Sequence, residues 1–193
     1  MLLRQSALFV RERVGFLKFA DAYDLLDPVS QQQVGVVLER PWWPWLRLIV
    51  NKRLLPTAAE VFEADQVTVA FRLRRPFGIF RLRFEVTGPD GRLLGVIRNK
   101  VFSLRGKLLV EDAEGRHLAE YTGGVLSWTR ELKDPQGVVL GTVDKKWAGL
   151  AKEFFTSADN YHLSLAPQVA GDTQKAALLL AACVAYDMCF KEQ

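Results

Sequence analysis

Histidine, cysteine and methionine each occur only twice in the 193 residues of this chain. Two cysteines, Cys183 and Cys189, cannot staple a disulfide scaffold, and they fit a reducing compartment without proving one. Two histidines, His117 and His162, leave no Cys/His cluster at metal-ligand spacing. There is no G-x-S-x-G elbow, no P-loop and no dinucleotide fingerprint, so catalysis is not expected. Arg4 is the only charge ahead of a short apolar stretch that Arg11, Glu12 and Arg13 cut off, and no small-residue cleavage site follows. Myristoylation would need glycine after Met1 where Leu2 stands, and the C-terminus has no prenylation box. A long apolar run is also lacking. Ala176 to Tyr186 carries no polar group beyond the tyrosine hydroxyl, but Asp187 breaks it before Met188, Cys189 and Phe190. As a helix this stretch reaches roughly 22 Å, short of the ~30 Å hydrocarbon core. Lys175 and Lys191 bracket it, so two readings stay open: a buried helix, or a short strained span.

About half of the residues (49%) are hydrophobic and 25% are charged, which excludes disordered and collagen-like chains. The length suits one domain over residues 1–193 with a real core. The net charge of +4 hides a split. Residues 1–110 hold 18 Lys and Arg against 10 Asp and Glu, whereas residues 111–193 hold 8 against 12. The basic half is suited to anions, nucleic acid or anionic lipid.

The middle of the chain alternates. In Val67-Thr68-Val69-Ala70-Phe71-Arg72-Leu73-Arg74 the apolar residues include every odd position, and in Phe80-Arg81-Leu82-Arg83-Phe84-Glu85-Val86 they fall on even ones. Period two marks half-buried strands, and Arg75-Pro76-Phe77-Gly78-Ile79 has turn chemistry between them. A degenerate repeat follows. Gly88-Pro89-Asp90-Gly91, Glu111 to Tyr121 with Gly115, and Asp134-Pro135-Gln136-Gly137 each pair a turn with a strand. Asp27-Pro28 to Val37, with Gly35, is a looser early copy. Asp and Pro initiate such turns and Gly supplies the positive-φ position. A run of hairpins predicts an antiparallel meander, and closure removes its exposed edges. Ten to twelve strands would enclose more space than wall side chains fill. The apolar helix, kept thin by Ala176, Ala177, Ala181, Ala182 and Ala185, is the expected filler.

Lys146-Trp147-Ala148-Gly149, Lys152-Glu153-Phe154-Phe155-Thr156 and Ala158-Asp159-Asn160-Tyr161, followed by a helix carrying Asp187, resemble the phospholipid scramblase signature. Phe102 to Lys107 and the D-x-x-G-x-x-L-G turns are similar to the LURP-one-related branch. Both groups belong to the tubby C-terminal-like superfamily. The resemblance, over about residues 20–190, implies a mainly β fold: a closed antiparallel barrel of about twelve strands around a buried hydrophobic C-terminal helix. It also implies a calcium-binding segment, here degenerate. Ser157 replaces its first aspartate, Gln168 falls at its closing acidic position, and Asp159 and Asn160 remain as weak candidate ligands. Calcium takes six to eight oxygens, several of them carboxylate, so no cofactor is expected and calcium is doubted. The cysteine cluster that is lipidated in animal scramblases and their proline-rich extension have no counterpart here.

Three features are candidates for function. Arg72 and Arg74 share a strand face, as do Arg81 and Arg83. Like charges facing each other across strands are unfavourable. Either acids such as Glu85 interleave on a solvated face, or an anion binds; arginine forks suit phosphate. The resemblance implies an anionic phospholipid or phosphoinositide headgroup. Trp42, Trp43 and Trp45, between Arg40 and Arg47, suit either a membrane interface or a loop plugging one barrel end. Asp187 reads as a structural anchor. The expected function is that of a scramblase-related protein, binding anionic headgroups as a monomer that is cytoplasmic or peripheral at a membrane. A membrane-inserted scramblase and a soluble module with a protein partner are the alternatives, and nucleic acid is not expected.

Overall fold

A computed structural model describes residues 1–13, 22–41, 55–76, 82–99, 107–123, 128–145, 160–169 and 171–190. It contains twelve strands: β1 (Ala7–Glu12), β2 (Ala22–Leu26), β3 (Gln33–Pro41), β4 (Thr57–Glu63), β5 (Val69–Arg75), β6 (Arg83–Thr87), β7 (Leu93–Asn99), β8 (Leu108–Asp112), β9 (His117–Thr122), β10 (Thr129–Lys133), β11 (Val139–Asp144) and β12 (Tyr161–Leu165). The helix α1 (Thr173–Phe190) follows. Each strand pairs antiparallel with the next, and β1 closes the ring against β12 through Ala7 opposite Ser164 and Val10 opposite Tyr161. The expected closed barrel of twelve strands around the C-terminal helix is what forms.

Alternation explains the wall. Phe84 and Val86 turn inward on β6, Leu108 and Val110 on β8, and Ala119 and Tyr121 on β9, while Arg83, Leu109 and Glu120 on the same strands do not. Inside, every residue of α1 from Ala176 to Cys189 is buried. Fully burying each leucine side chain contributes roughly 1.5–3 kcal/mol. The fit is close. A Cβ on Gly95 of β7 would stand 2.2 Å from the Glu111 carbonyl oxygen and 2.8 Å from a Leu178 methyl. Asp172 caps the helix N-terminus, its carboxylate accepting from the Lys175 N–H at 2.9 Å.

The two ends of the barrel differ. At the helix N-terminal end the strands join through 27–32, 64–68, 88–92, 113–116 and 134–138. Gly91, Gly115 and Gly137 adopt φ of 81°, 79° and 86°, the positive-φ position expected of each repeat. Asp112 and Asp134 cap their turns, each accepting two backbone N–H groups. The register shifts in each of these five hairpins by one residue, in the strand that follows the turn: Val34, Ala70, Leu94, Leu118 and Leu140 are the extra residues. A 3-10 turn, Leu2–Arg4, covers this end, with Leu2 buried and its N–H bonded to Glu63 at 2.6 Å. At the opposite end the strands join through 13–21, 42–56, 76–82, 100–107, 123–128 and 145–160, most of which lies outside the described residues.

Three expectations need correction. Val67 is 79% exposed in a turn and β5 begins at Val69, because the Asp65 carboxylate binds the Val67 and Thr68 N–H groups and holds them out of the ladder. Gly35 lies within β3 under the Phe62 carbonyl, and Gln31, at φ 59°, takes the positive-φ place in the early repeat. Arg75, assigned to a turn, ends β5 pointing inward at 4% exposure.

Candidate functional site

Arg72 and Arg74 lie on the outer face of β5 and Arg83 on that of β6; Arg81 lies outside the described residues. Acids interleave with them. Arg72 stands opposite Glu60, with Nε 3.3 Å from its carboxylate, and also donates to the Pro89 carbonyl at 3.2 Å. Arg74 is opposite Glu85, which Arg83 approaches at 3.6 Å. Arg83 faces Arg98 across the β6–β7 ladder, and Arg98 is bonded to Glu111, which raises its pKa. Arg75, by contrast, donates from Nη2 to the Leu55 carbonyl at 2.7 Å, reaches the Cys189 sulfur and lies over the Phe84 ring.

Lys133–Glu131, at 2.6 Å, sets its base nearer the helix N-terminal end, and Arg11–Asp24 and Arg72–Glu60 stand level across their ladders. Five other outer-wall ion pairs share one orientation: Arg13–Asp24 at 2.6 Å, Arg40–Glu60 at 2.8 Å, Arg83–Glu85, Arg98–Glu111 and Lys107–Glu120 at 2.9 Å. The ladder register places each base two residues nearer the helix C-terminal end than its acid, about 7 Å along the strand. The base is also the more exposed partner in every pair. Trp128, at the same end before β10, is 58% exposed. Trp42, Trp43 and Trp45 lie outside the described residues.

Inside that mouth a polar cluster surrounds the last turns of α1. The Tyr23 hydroxyl donates to Asp187. The Arg130 guanidinium lies 4.5 Å from the Tyr186 ring centroid, and Tyr186 packs on Tyr121 at 4.8 Å. Burial raises the pKa of Tyr121 and of the Cys183 thiol, so both stay protonated. The cavity between Arg130, Lys145, Tyr161, Cys183 and Asp187 measures about 20 Å³, room for about one water molecule. It can orient the helix end but cannot admit a headgroup. Sequence reasoning found Asp187 and missed Tyr23 and Arg130. Arg130 shares its parity on β10 with Leu132, the one sign that it faces inward.

Asn160 and Gln168, the described ligand positions of the calcium segment, lie at opposite ends of β12. Asn160 precedes β12 at one end of the barrel. Gln168 follows β12 at the other end, where its amide donates to the Val139 carbonyl at 3.0 Å. The strand between them holds the two apart, and Asp159 lies outside the described residues. Asn160 and Gln168 therefore share no ion site.

The chain is thus a closed antiparallel barrel that buries its own apolar C-terminal helix. The family model described as Scramblase matches residues 19–193, and the chain belongs to the scramblase family. It is similar to a phospholipid scramblase family protein of Schizosaccharomyces pombe, 29% identical over 145 residues. That match covers 69% of this chain and 38% of the yeast protein, so the chain spans well under half of that relative's length. The closing strand β1 lies ahead of the matched residues.

Proposed function

We propose that this scramblase-related chain is a non-catalytic protein that binds anionic phospholipid headgroups peripherally. The observation that carries the reading is the enclosure of α1. Among the described residues no helix is long and apolar enough to cross a membrane, and the apolar stretch of α1 already has the barrel wall around it. Lipid movement across a bilayer needs a polar path through ~30 Å of hydrocarbon, and a helix packed inside its own barrel offers none. The arginines of the outer wall support a headgroup contact. Arg72, Arg74, Arg81 and Arg83 are the proposed headgroup residues, and Trp42, Trp43 and Trp45 the proposed interface residues. No bound metal is assigned, and calcium titration is expected to give no saturable binding in the micromolar range.

Co-sedimentation tests this. Wild-type protein should pellet with phosphatidylcholine vesicles containing phosphatidylserine or a phosphoinositide, and stay in the supernatant with phosphatidylcholine alone. The Arg72→Ala/Arg74→Ala/Arg81→Ala/Arg83→Ala variant should pellet less. No binding of wild type to either anionic vesicle sinks the reading.

A further inference from the structure

The antiparallel meander sends alternate connections to opposite ends of the barrel, and their charges differ sharply. By sequence, the six connections that leave and re-enter the barrel at the helix C-terminal end hold twelve Lys and Arg against three Asp and Glu; of these, Arg13, Lys107 and Lys145 are among the described residues. At the other end, residues 1–6, the five tight turns and 166–172 hold three against six. All five tryptophans fall in the sequence of the first group of connections; Trp128, the one among the described residues, is 58% exposed. Five wall ion pairs follow the trend, each turning its base toward the basic end, against one, Lys133–Glu131, that turns it away.

The helix dipole does not account for this. Asp172 at the N-terminus and the buried Arg75 and Arg130 near the C-terminus complement it, but a dipole end amounts to roughly half a charge. An excess of nine charges asks for an external partner. The two ends also act separately. The eighteen-residue helix sets them about 27 Å apart, some three Debye lengths at physiological salt. The acidic end stays acidic: hydrogen bonds from the Ser30 N–H and the Thr68 hydroxyl hold Asp27 and Asp65 below the usual carboxylate range.

We propose that the helix C-terminal end of the barrel is the face that docks on an anionic phospholipid bilayer, with the barrel axis along the membrane normal and the tight turns pointing away. This rests on the reading above that the chain binds such a surface, and adds which surface does so. Basic charge alone would suit any polyanion; tryptophan in the same connections is what favours a lipid interface, where its amphipathic ring sits at headgroup depth. The inference also divides the four arginines proposed above. Arg74 and Arg83 stand at the docking rim, and the connection that holds Arg81 joins their strands there. Arg72 reaches the Gly88–Pro89 turn side and takes no part.

Two single-site labels decide the orientation. Cys183 and Cys189 are buried, so a dye is expected to label the introduced cysteine alone, with unsubstituted protein as the blank. Trp128→Cys and Val138→Cys place an environment-sensitive fluorophore at opposite ends, both at exposed positions. On vesicles of phosphatidylcholine with about a third phosphatidylserine, emission at 128 should rise about threefold with a blue shift, while emission at 138 should change by less than about 20%. Arg40→Gln/Arg98→Gln/Lys107→Gln should weaken vesicle binding about tenfold or more, and Arg92→Gln/Arg116→Gln at the far end less than about twofold. Equal responses at 128 and 138, or silence at both while the protein still co-sediments, overturn the docking face and leave lipid binding standing. Failure of wild type to co-sediment removes lipid binding itself and the docking face with it. Binding to heparin without binding to vesicles assigns the face to a polyanionic macromolecule and overturns the lipid assignment.

Discussion

The hydroxyl of Tyr23 on β2 donates to the carboxylate of Asp187, the only acid in α1, across 164 positions of sequence. It ties the helix end to the wall. A carboxylate at 7% exposure with its donors removed is costly, so the bond is worth more than an average one. Tyr23→Phe is expected to lower stability to urea by about 1–3 kcal/mol. Asp187→Leu should cost less in a Tyr23→Phe background than in wild type, because the pair then goes together. A coupling in that double-mutant cycle under about 0.5 kcal/mol would remove the anchor role.

Gly95 tests the fit of the helix. Gly95→Ala forces its methyl against the Glu111 carbonyl and Leu178, and should cost about 1–3 kcal/mol. Gly91→Ala meets open space and is strained only by its φ of 81°, at a cost of about 1 kcal/mol. Thermal unfolding should separate the two. Near-UV circular dichroism should change for Gly95→Ala alone, since only that variant displaces the core.

The strand pattern and the turns were legible in the sequence because their signals are local: β6 alternates, and the three later repeats place glycine at the positive-φ position of the turn. The alanine-rich filler was legible because an apolar helix needs something around it. The inward arginines were not. Arg75 and Arg130 share parity with Leu73 and Leu132, but an arginine among charged neighbours reads as outward until its carbonyl and ring partners are known. The charge polarity was hidden for a topological reason. Successive connections alternate between ends, so a running sum along the chain averages basic loops with acidic turns. The surplus of the first 110 residues is one shadow of an axial arrangement that any division by chain halves cuts across.

A half-buried histidine and a buried aspartate set an acid limb. Burial pulls the His162 pKa below 6.5, and nearby Asp144 only partly opposes it. The unfolded chain therefore takes up a proton first, and stability should fall as pH drops from about 6.5 toward the depressed folded value. Burial pushes Asp24 up, but hydrogen bonds from Arg13 and Arg11 outweigh it and hold the carboxyl below 3.8. Its contribution is present above that value and is lost as pH falls through the lower folded one. In urea titrations, His162→Gln should flatten the slope just below pH 6.5 and leave the limb below pH 4. Asp24→Asn should do the reverse, at the cost of its ion pairs at neutral pH. A His162→Gln profile parallel to wild type would show that the imidazole is solvated.

The buried thiols report whether the helix ever leaves the barrel. The Cys183 sulfur donates to the Leu179 carbonyl at 3.3 Å, and the Cys189 sulfur accepts from Arg75 at 3.6 Å. A disulfide reagent at mild alkaline pH should reach neither in the native protein, reacting at least about a thousandfold slower than with a free thiol, and should titrate both in denaturant. Anionic vesicles give the sharper comparison. A barrel that docks by its rim keeps its helix inside, so protection should be the same with and without vesicles. A helix that inserts must first abandon the wall, breaking the Tyr23–Asp187 and Arg75–Cys189 contacts, and Cys189, in its last turn, should then react first. Accelerated labelling of Cys189 on vesicles, with Cys183 following, would return the inserted form to consideration. Unchanged protection of both would confine the membrane contact to the outside of the barrel.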